Sequence, residues 1–320
     1  MLSRVADNLY WMSRYLERAE HTCRLLDVQL FLMLDQSLGS AEQRWKRLLA
    51  SLFIPSQAIL LGDIHTAART LTFELSNSSS IAASIAAARE NARYVREQTS
   101  SEMWEQINRL YLYVKSASSE EVWKAQPHEF FRSVKEGAHL FQGITDSTMN
   151  HGEGWQFIQA GRSIERAGLI AALIDVHYSR YIDARDEFVA RDDYLEWVGL
   201  LKCLTAFEAY CKVYTADLRS DRIASFLLLN PEFPHSLRFS IDRVIGALKA
   251  IAASTLTRSA ERLERLAGRL QSELSFSQID EIMAAGLHAY LEGVQRQCAQ
   301  IHKEIYQIYI GYPIAAAIAS

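Results

Sequence analysis

Arg14, Glu17, Arg18 and His21 stand three or four residues apart, a spacing that gathers them into one charged cluster on an α-helix. The same lettering returns 148 positions on (from Glu17 to Glu165) as Arg162, Glu165 and Arg166. A single exposed copy would be a solvated ladder of ion pairs with little energetic weight. The second copy points inward. Phe157, Ile158, Ile164, Ala167, Leu169, Ile170, Leu173 and Ile174 leave its helix apolar on nearly every side, the mark of a buried helix. Glu165 and Arg166 are therefore expected as partners in a partly dry interior. Groups paired in that way can lock helix packing. Alternatively they can line a polar site in which Arg14, Arg18, Arg162 and Arg166 bind and Glu17 and Glu165 serve as acid and base.

A second candidate is the run Ala88-Arg89-Glu90-Asn91-Ala92-Arg93-Tyr94-Val95-Arg96. On a helix Arg89, Arg93 and Arg96 share a face, with Glu90 beside them and Glu102, Trp104 and Glu105 soon after. Such a basic stripe is a solvated face, a docking surface, or a holder of phosphate or carboxylate through the guanidinium forks. Other chemistries are not spelled out. A di-iron bundle needs two Glu-x-x-His motifs on separate helices, and only Glu136 with His139 fits. Phosphate loops of the GxxxxGK[ST] and GxGxxG kinds are absent, as are GxSxG and HExxH. Cys23, Cys203, Cys211 and Cys298 have no ligand or redox spacing and read as reduced, buried thiols in helices. His65, His177 and His288 read as surface or satisfied core residues. No metal and no cofactor is called for.

The elements that must position these residues are helices. Val5, Leu9, Met12, Leu16, Ala19, Cys23, Leu26 and Leu30 make one apolar stripe in alternating steps of four and three. Gly39 is expected to end that helix and Ser40-x-x-Gln43 to cap the next. Further stripes run through Ile81, Ile85, Ala88, Ala92 and Val95; Met103, Ile107, Leu110 and Val114; Leu263, Leu266, Leu270 and Leu274; and from Ile279 to about Ile310. Thr99 with Glu102, and Ser277 with Asp280, are the expected caps between them. Only five prolines interrupt the 320 residues, and no run alternates long enough to compete as a strand. The reading is all-α, with about a dozen helices.

The register linking Glu17 to Glu165 also carries Leu25-Leu26-Asp27-Val28 onto Leu173-Ile174-Asp175-Val176. A looser match sets Ser80-Ile81 with Ile85 against Ser236-Leu237 with Ile241. Two pseudo-symmetric half-repeats, near 1–150 and 151–320, are expected within one domain spanning 1–320. The formal charge of −4 gives no support for nucleic-acid binding. No apolar window reaches membrane-spanning length, and the run Ile314 to Ala319 is far too short. A soluble, cytoplasmic protein is expected, with homo-oligomerisation left open.

The opening Met1-Leu2-Ser3-Arg4-Val5-Ala6-Asp7-Asn8-Leu9-Tyr10-Trp11-Met12-Ser13-Arg14-Tyr15-Leu16-Glu17-Arg18-Ala19-Glu20 resembles the start of the alpha-E family of bacterial helical proteins. Ala88 to Arg93, Ser101-Glu102-Met103-Trp104 and Gly161 to Ala167 resemble its other hallmarks. One departure is Asn77-Ser78-Ser79-Ser80, which lacks a proline after the asparagine. The resemblance implies company: a circularly permuted ATP-grasp protein encoded beside it or fused to it, often with a transglutaminase-like protein. That context implies ATP-dependent amide-bond formation on a peptide. The expected role is an accessory or co-catalytic subunit holding a partner or peptide in a charged groove. The alternatives are an autonomous enzyme acting through Glu17 and Glu165, or a helical scaffold.

Overall fold

The computed structural model describes residues 1–33, 38–55, 64–117, 122, 127–179, 191–215, 217–255 and 261–311. Among them are fourteen α-helices and no strand. In chain order they are α1 (Ser3–Leu32), α2 (Leu38–Ser51), α3 (Ile64–Phe73), α4 (Ile81–Tyr94), α5 (Ser101–Ser116), α6 (Pro127–Thr148) and α7 (Glu153–Tyr178). They continue with α8 (Arg191–Cys203), α9 (Phe207–Tyr214), α10 (Ser220–Leu229), α11 (Leu237–Thr255), α12 (Glu261–Phe276), α13 (Ile279–Ala285) and α14 (Leu287–Ile305), and a π-helical turn, Tyr306–Ile310, ends the described chain. The apolar run Ile314 to Ala319 lies outside the described residues.

The apolar stripe of α1 goes where its period sends it, with Leu9, Met12, Leu16, Ala19, Cys23 and Leu26 all buried. The helix α7 is buried on nearly all sides, from Phe157 to Ile174. Each Leu or Ile taken out of water contributes roughly 1.5–3 kcal/mol, so these two helices hold much of the core. They lie side by side and run in the same direction: Met1 meets Glu153 and, further along, Glu17 meets Arg166. Around them α4 and α6 pack on α1, whereas α11 and α14 pack on α7. The second helices cross over, α2 lying on α7 and α8 on α1.

What lets α1 and α7 approach is a missing side chain. A Cβ added at Gly161 would stand 2.3 Å from the Tyr10 carbonyl oxygen and 2.4 Å from Ser13 Oγ. The backbones touch there, one residue before Arg162 and four before Glu165.

Local hydrogen bonding matches at several pairs of positions. Ser80 caps α4 by accepting from Ala83 N while donating to the Glu74 carbonyl. Ser236 does the same at α11, with Phe239 N and the Asn230 carbonyl. The turn at Asn77 forms without the missing proline, because Asn77 Oδ1 accepts from Ser79 N at 3.0 Å. The ends of α2 and α8 also agree: Ile54 N bonds to Leu49 O as Ala206 N does to Leu201 O, and Phe53 N to Ala50 O as Thr205 N does to Lys202 O. That is a Schellman close, and it places Phe53 and Thr205 at φ of 58° and 55°.

Several boundaries differ from the sequence reading. The break after α1 falls before Leu38, so Gly39 and Ser40 lie inside α2. The cap of α5 is Ser100, whose hydroxyl accepts from Met103 N, and Thr99 bonds back to the Val95 carbonyl. Gln278 with Glu281 closes the box at α13, again one residue later than expected. The stripe after Ile279 is cut at Gly286, whose φ of 104° no continuous helix tolerates.

Gly161→Ala is expected to lower unfolding free energy in urea by about 1–3 kcal/mol, since backbone must shift to admit the methyl group. Gly168→Ala, where nothing lies within 4 Å of the new Cβ, is expected to raise it by up to roughly 1 kcal/mol through helix propensity. Equal effects at the two sites would contradict the close crossing.

Candidate functional site

At the crossing of α1 and α7 the two Arg-x-x-Glu-Arg motifs exchange partners. Glu17 is held by Arg166, with Nε to Oε1 at 2.5 Å and Nη2 to Oε2 at 2.8 Å. Arg162 Nε lies 3.7 Å from the same carboxylate. In the other direction, Arg14 Nε and Arg18 Nε each donate at 2.7 Å to one oxygen of Glu165. The carboxylates are 2% and 6% exposed. Neither motif neutralises itself; each is completed by the other helix. Three or four residues of spacing put the arginines on one face, and the contact at Gly161 brings that face within reach.

The surroundings set the electrostatics. Burial alone would raise the Glu165 carboxyl's pKa, but Arg14 and Arg18 more than offset it and hold it below the ordinary carboxylate range. His302, on α14, accepts at Nδ1 from Arg14 Nη1 at 2.9 Å, and the Tyr10 hydroxyl lies 2.9 Å from the same nitrogen. Arginine has only donors, so Nδ1 is the unprotonated nitrogen and the ring proton sits on Nε2. Burial, and after it the Arg14 charge, depress His302 to about 4. The Arg14 guanidinium also rests on the Trp11 ring, 4.4 Å from its centroid. Beside this group opens a cavity of about 360 Å3, lined by Arg14, Arg18, Glu165 and His302 with apolar walls that include Leu52, Ile164 and Leu169.

On the Glu17 side the arginine has a further partner. Arg166 Nη1 donates to the Pro234 carbonyl at 3.2 Å, tying the loop between α10 and α11 to the pair. Glu20, 1% exposed, is paired with Arg24 and faces His139 Nε2 at 3.5 Å. Burial would raise its pKa; the hydrogen bond from His139 and the charge of Arg24 hold it well below the ordinary range. Of the Glu136/His139 pair, then, the histidine turns to Glu20 while Glu136 lies 4.0 Å from Arg132.

The basic stripe is on α4 and α5. Arg89 stands between the rings of Trp104 and Tyr111, at 5.3 and 5.1 Å, and Arg96 lies 4.7 Å from Trp104. Glu90 joins Arg89 and Arg93 at 2.6 and 2.9 Å. The helix ends at Tyr94, so Arg96 reaches Trp104 from the following turn rather than by helical spacing. Among the described residues no ion pair connects this stripe to the motif pairs. The aspartates of the second repeat match also behave alike: Asp27 meets His128 Nδ1 and Asp175 meets His288 Nδ1, both at 2.6 Å.

His302 and Glu20 carry no signal in the sequence, since neither belongs to a recurring pattern. One legible signal was passed over. Trp45, Leu48, Leu49 and Leu52 recur as Trp197, Leu200, Leu201 and Leu204, all buried, and behind them Arg44 and Arg47 both hold Glu196.

Glu17→Gln should lower stability by about 3–5 kcal/mol, since it leaves the buried Arg166 unanswered; Glu165→Gln should cost less, because Arg14 and Arg18 are only part-buried beside the cavity. The pH dependence adds a signature. Because Glu165 titrates in the fold below its unfolded value of 4.5, the stability it adds is complete above that pH and is lost as pH falls through the lower folded value. Denaturation curves of Glu165→Gln should therefore fall less steeply on acidification below pH 4.5 than those of the unaltered chain.

Uncharacterised proteins of Mycobacterium bovis and of two strains of Mycobacterium tuberculosis are each 23% identical over 314 residues. The match takes in 90% of this chain but 34% of each relative, so the chain spans about a third of their length. No solved structure gives a significant match. The pattern of the Alpha-E family, described as a predicted alpha-helical domain with a conserved ER motif, matches residues 1–310. With Glu17-Arg18 and Glu165-Arg166 clasped across its two central helices, this chain belongs to the Alpha-E family.

Proposed function

We propose that this chain is the accessory component of a cytoplasmic ATP-grasp-type amide-ligase system, holding an acceptor in the cavity beside Arg14, Arg18 and Glu165. The observation that carries the reading is the state of the carboxylates. Both oxygens of Glu165 and both of Glu17 accept from arginines of the opposite helix. A general base must be basic near neutral pH, and paired arginines make a carboxylate a weaker base. Glu165, held below the ordinary carboxylate range by Arg14 and Arg18, is suited to fixing charge in place rather than to moving protons. That argues against the autonomous enzyme working through Glu17 and Glu165. A pure packing lock, for its part, leaves the adjoining cavity without a role.

Two further observations support a partnered protein. The mycobacterial relatives carry roughly twice as much chain again outside the matched part, so in them an Alpha-E-like segment is joined to other polypeptide. Here, Arg93 and Tyr94 are exposed on α4, beside Arg89 and Arg96, whose guanidinium groups lie near the Trp104 ring. Guanidinium groups held at a ring are pre-ordered, which suits an acidic docking partner. In this reading the two parts of the chain are pseudo-symmetric halves that share one charged crossing.

The purified chain alone is expected neither to bind nor to hydrolyse ATP. Added to a circularly permuted ATP-grasp protein from the same genome, it should raise turnover or change the acceptor used. Robust ATP hydrolysis by the isolated chain would overturn the reading. Arg93→Glu with Arg96→Glu should weaken the complex while leaving thermal unfolding nearly unchanged. A large drop in melting temperature would make those arginines structural.

A further inference from the structure

The two motif crossings differ in the donors left over. At Glu17, Arg166 spends Nε and Nη2 on the carboxylate and Nη1 on the Pro234 carbonyl, and the neighbouring Glu20 is answered by Arg24. At Glu165 the arginines Arg14 and Arg18 face one carboxylate. Other groups acting there, among them His302, His21 and Tyr10, are neutral: burial depresses both histidines to about 4 and pushes the Tyr10 hydroxyl well up. One positive charge is left over, and it is on this side that the 360 Å3 cavity opens.

The leftover charge is aimed. Arg18 spends only Nε on Glu165, and among the described residues its two terminal nitrogens have no hydrogen-bond partner. Its guanidinium is steadied over the Tyr15 ring at 5.4 Å, and its side chain is 18% exposed. A preordered fork with two idle donors, in a half-buried cavity with net charge of plus one, is built for a planar monoanion. The walls at Leu52, Ile164 and Leu169 require an apolar body behind that anion, and the volume sits at the lower end for small-molecule sites.

We infer that the cavity binds the carboxylate of a small acyl-amino acid or peptide C-terminus, gripped by Arg18 with its apolar side chain against Leu52, Ile164 and Leu169. A phosphate dianion would overshoot the charge and leave the apolar wall bare. The inference rests on the acceptor-holding reading of this cavity, and names the chemical group held.

The test uses the isolated chain, without ATP or partner, and N-acetyl-leucine as probe in calorimetric titration. Saturable binding is expected, with N-acetyl-leucinamide and inorganic phosphate failing to bind or to compete. Arg18→Gln should weaken binding by about tenfold or more, the loss of a charged fork. Because Arg14 keeps Glu165 answered, circular dichroism should show that variant folded. Gly168→Leu provides a second variant that leaves the charges alone. Gly168 lines the cavity with open space at its Cβ position, so a leucine there should abolish binding in a protein at least as stable as the original. Equal binding of the amide, tighter binding of phosphate, no saturable binding of N-acetyl-leucine, or unchanged affinity in both variants would overturn the inference. The outcomes separate the two proposals: carboxylate binding without any effect on a ligase would sink only the proposed function.

Discussion

A carboxylate moved out of water must be answered by a cation held in fixed geometry, or it will not stay there as an anion. In this protein that demand falls on Glu17 and Glu165, and each is met from the opposite central helix. Four arginines and two glutamates thereby fix both the rotation and the sliding of α1 against α7. A slip of either helix by one residue would turn a guanidinium away from its acceptor and leave bare charge in the core.

The rest of the architecture is arranged around keeping that crossing in place. The missing side chain at Gly161 sets the distance between backbones. The flanking helices, α4 and α6 on α1 and α11 and α14 on α7, pack around the two central helices. Serine caps at Ser80 and Ser236 start α4 and α11 in matching fashion, and Pro234 lends a carbonyl to Arg166 directly. The near-identical machinery ends in unlike surroundings. On one side Arg166 is spent on Glu17 and the Pro234 carbonyl; on the other, Arg18 is left with donors to spare beside open volume. The two crossings thus differ in the donors they leave unspent.

How much of this could be read in advance follows from range. Helical period is a local property, so the stripes of α1, α4 and α5 and the buried nature of α7 were legible, as were both copies of the motif. Caps were misplaced by a residue because Ser100 and Gln278, beside the expected Thr99 and Ser277, offer their own side chains. Which carboxylate each arginine serves was not legible. It depends on a contact between backbones that no spacing encodes. His302 was invisible for the same reason, since it reaches Arg14 across 288 positions. Arg96 was assigned to a helix face that ends two residues earlier, at Tyr94. The membrane question had a plain answer in composition: among the described residues no helix is long and apolar enough to cross a bilayer.

The exchange of partners also fixes the order of events during synthesis. Glu17 and Arg166 are 149 positions apart, so α1 leaves the ribosome long before its counter-charge has been translated. Until then Glu17 has no buried place to go, and the apolar stripe beside it cannot be sealed without desolvating an unanswered anion. Glu17 therefore keeps its hydration until α7 has been made, and only then can two anions and their cations leave water together. A ribosome that stalls before the second motif releases a chain with a greasy, charged groove exposed, the kind of surface that chaperones and proteases sample.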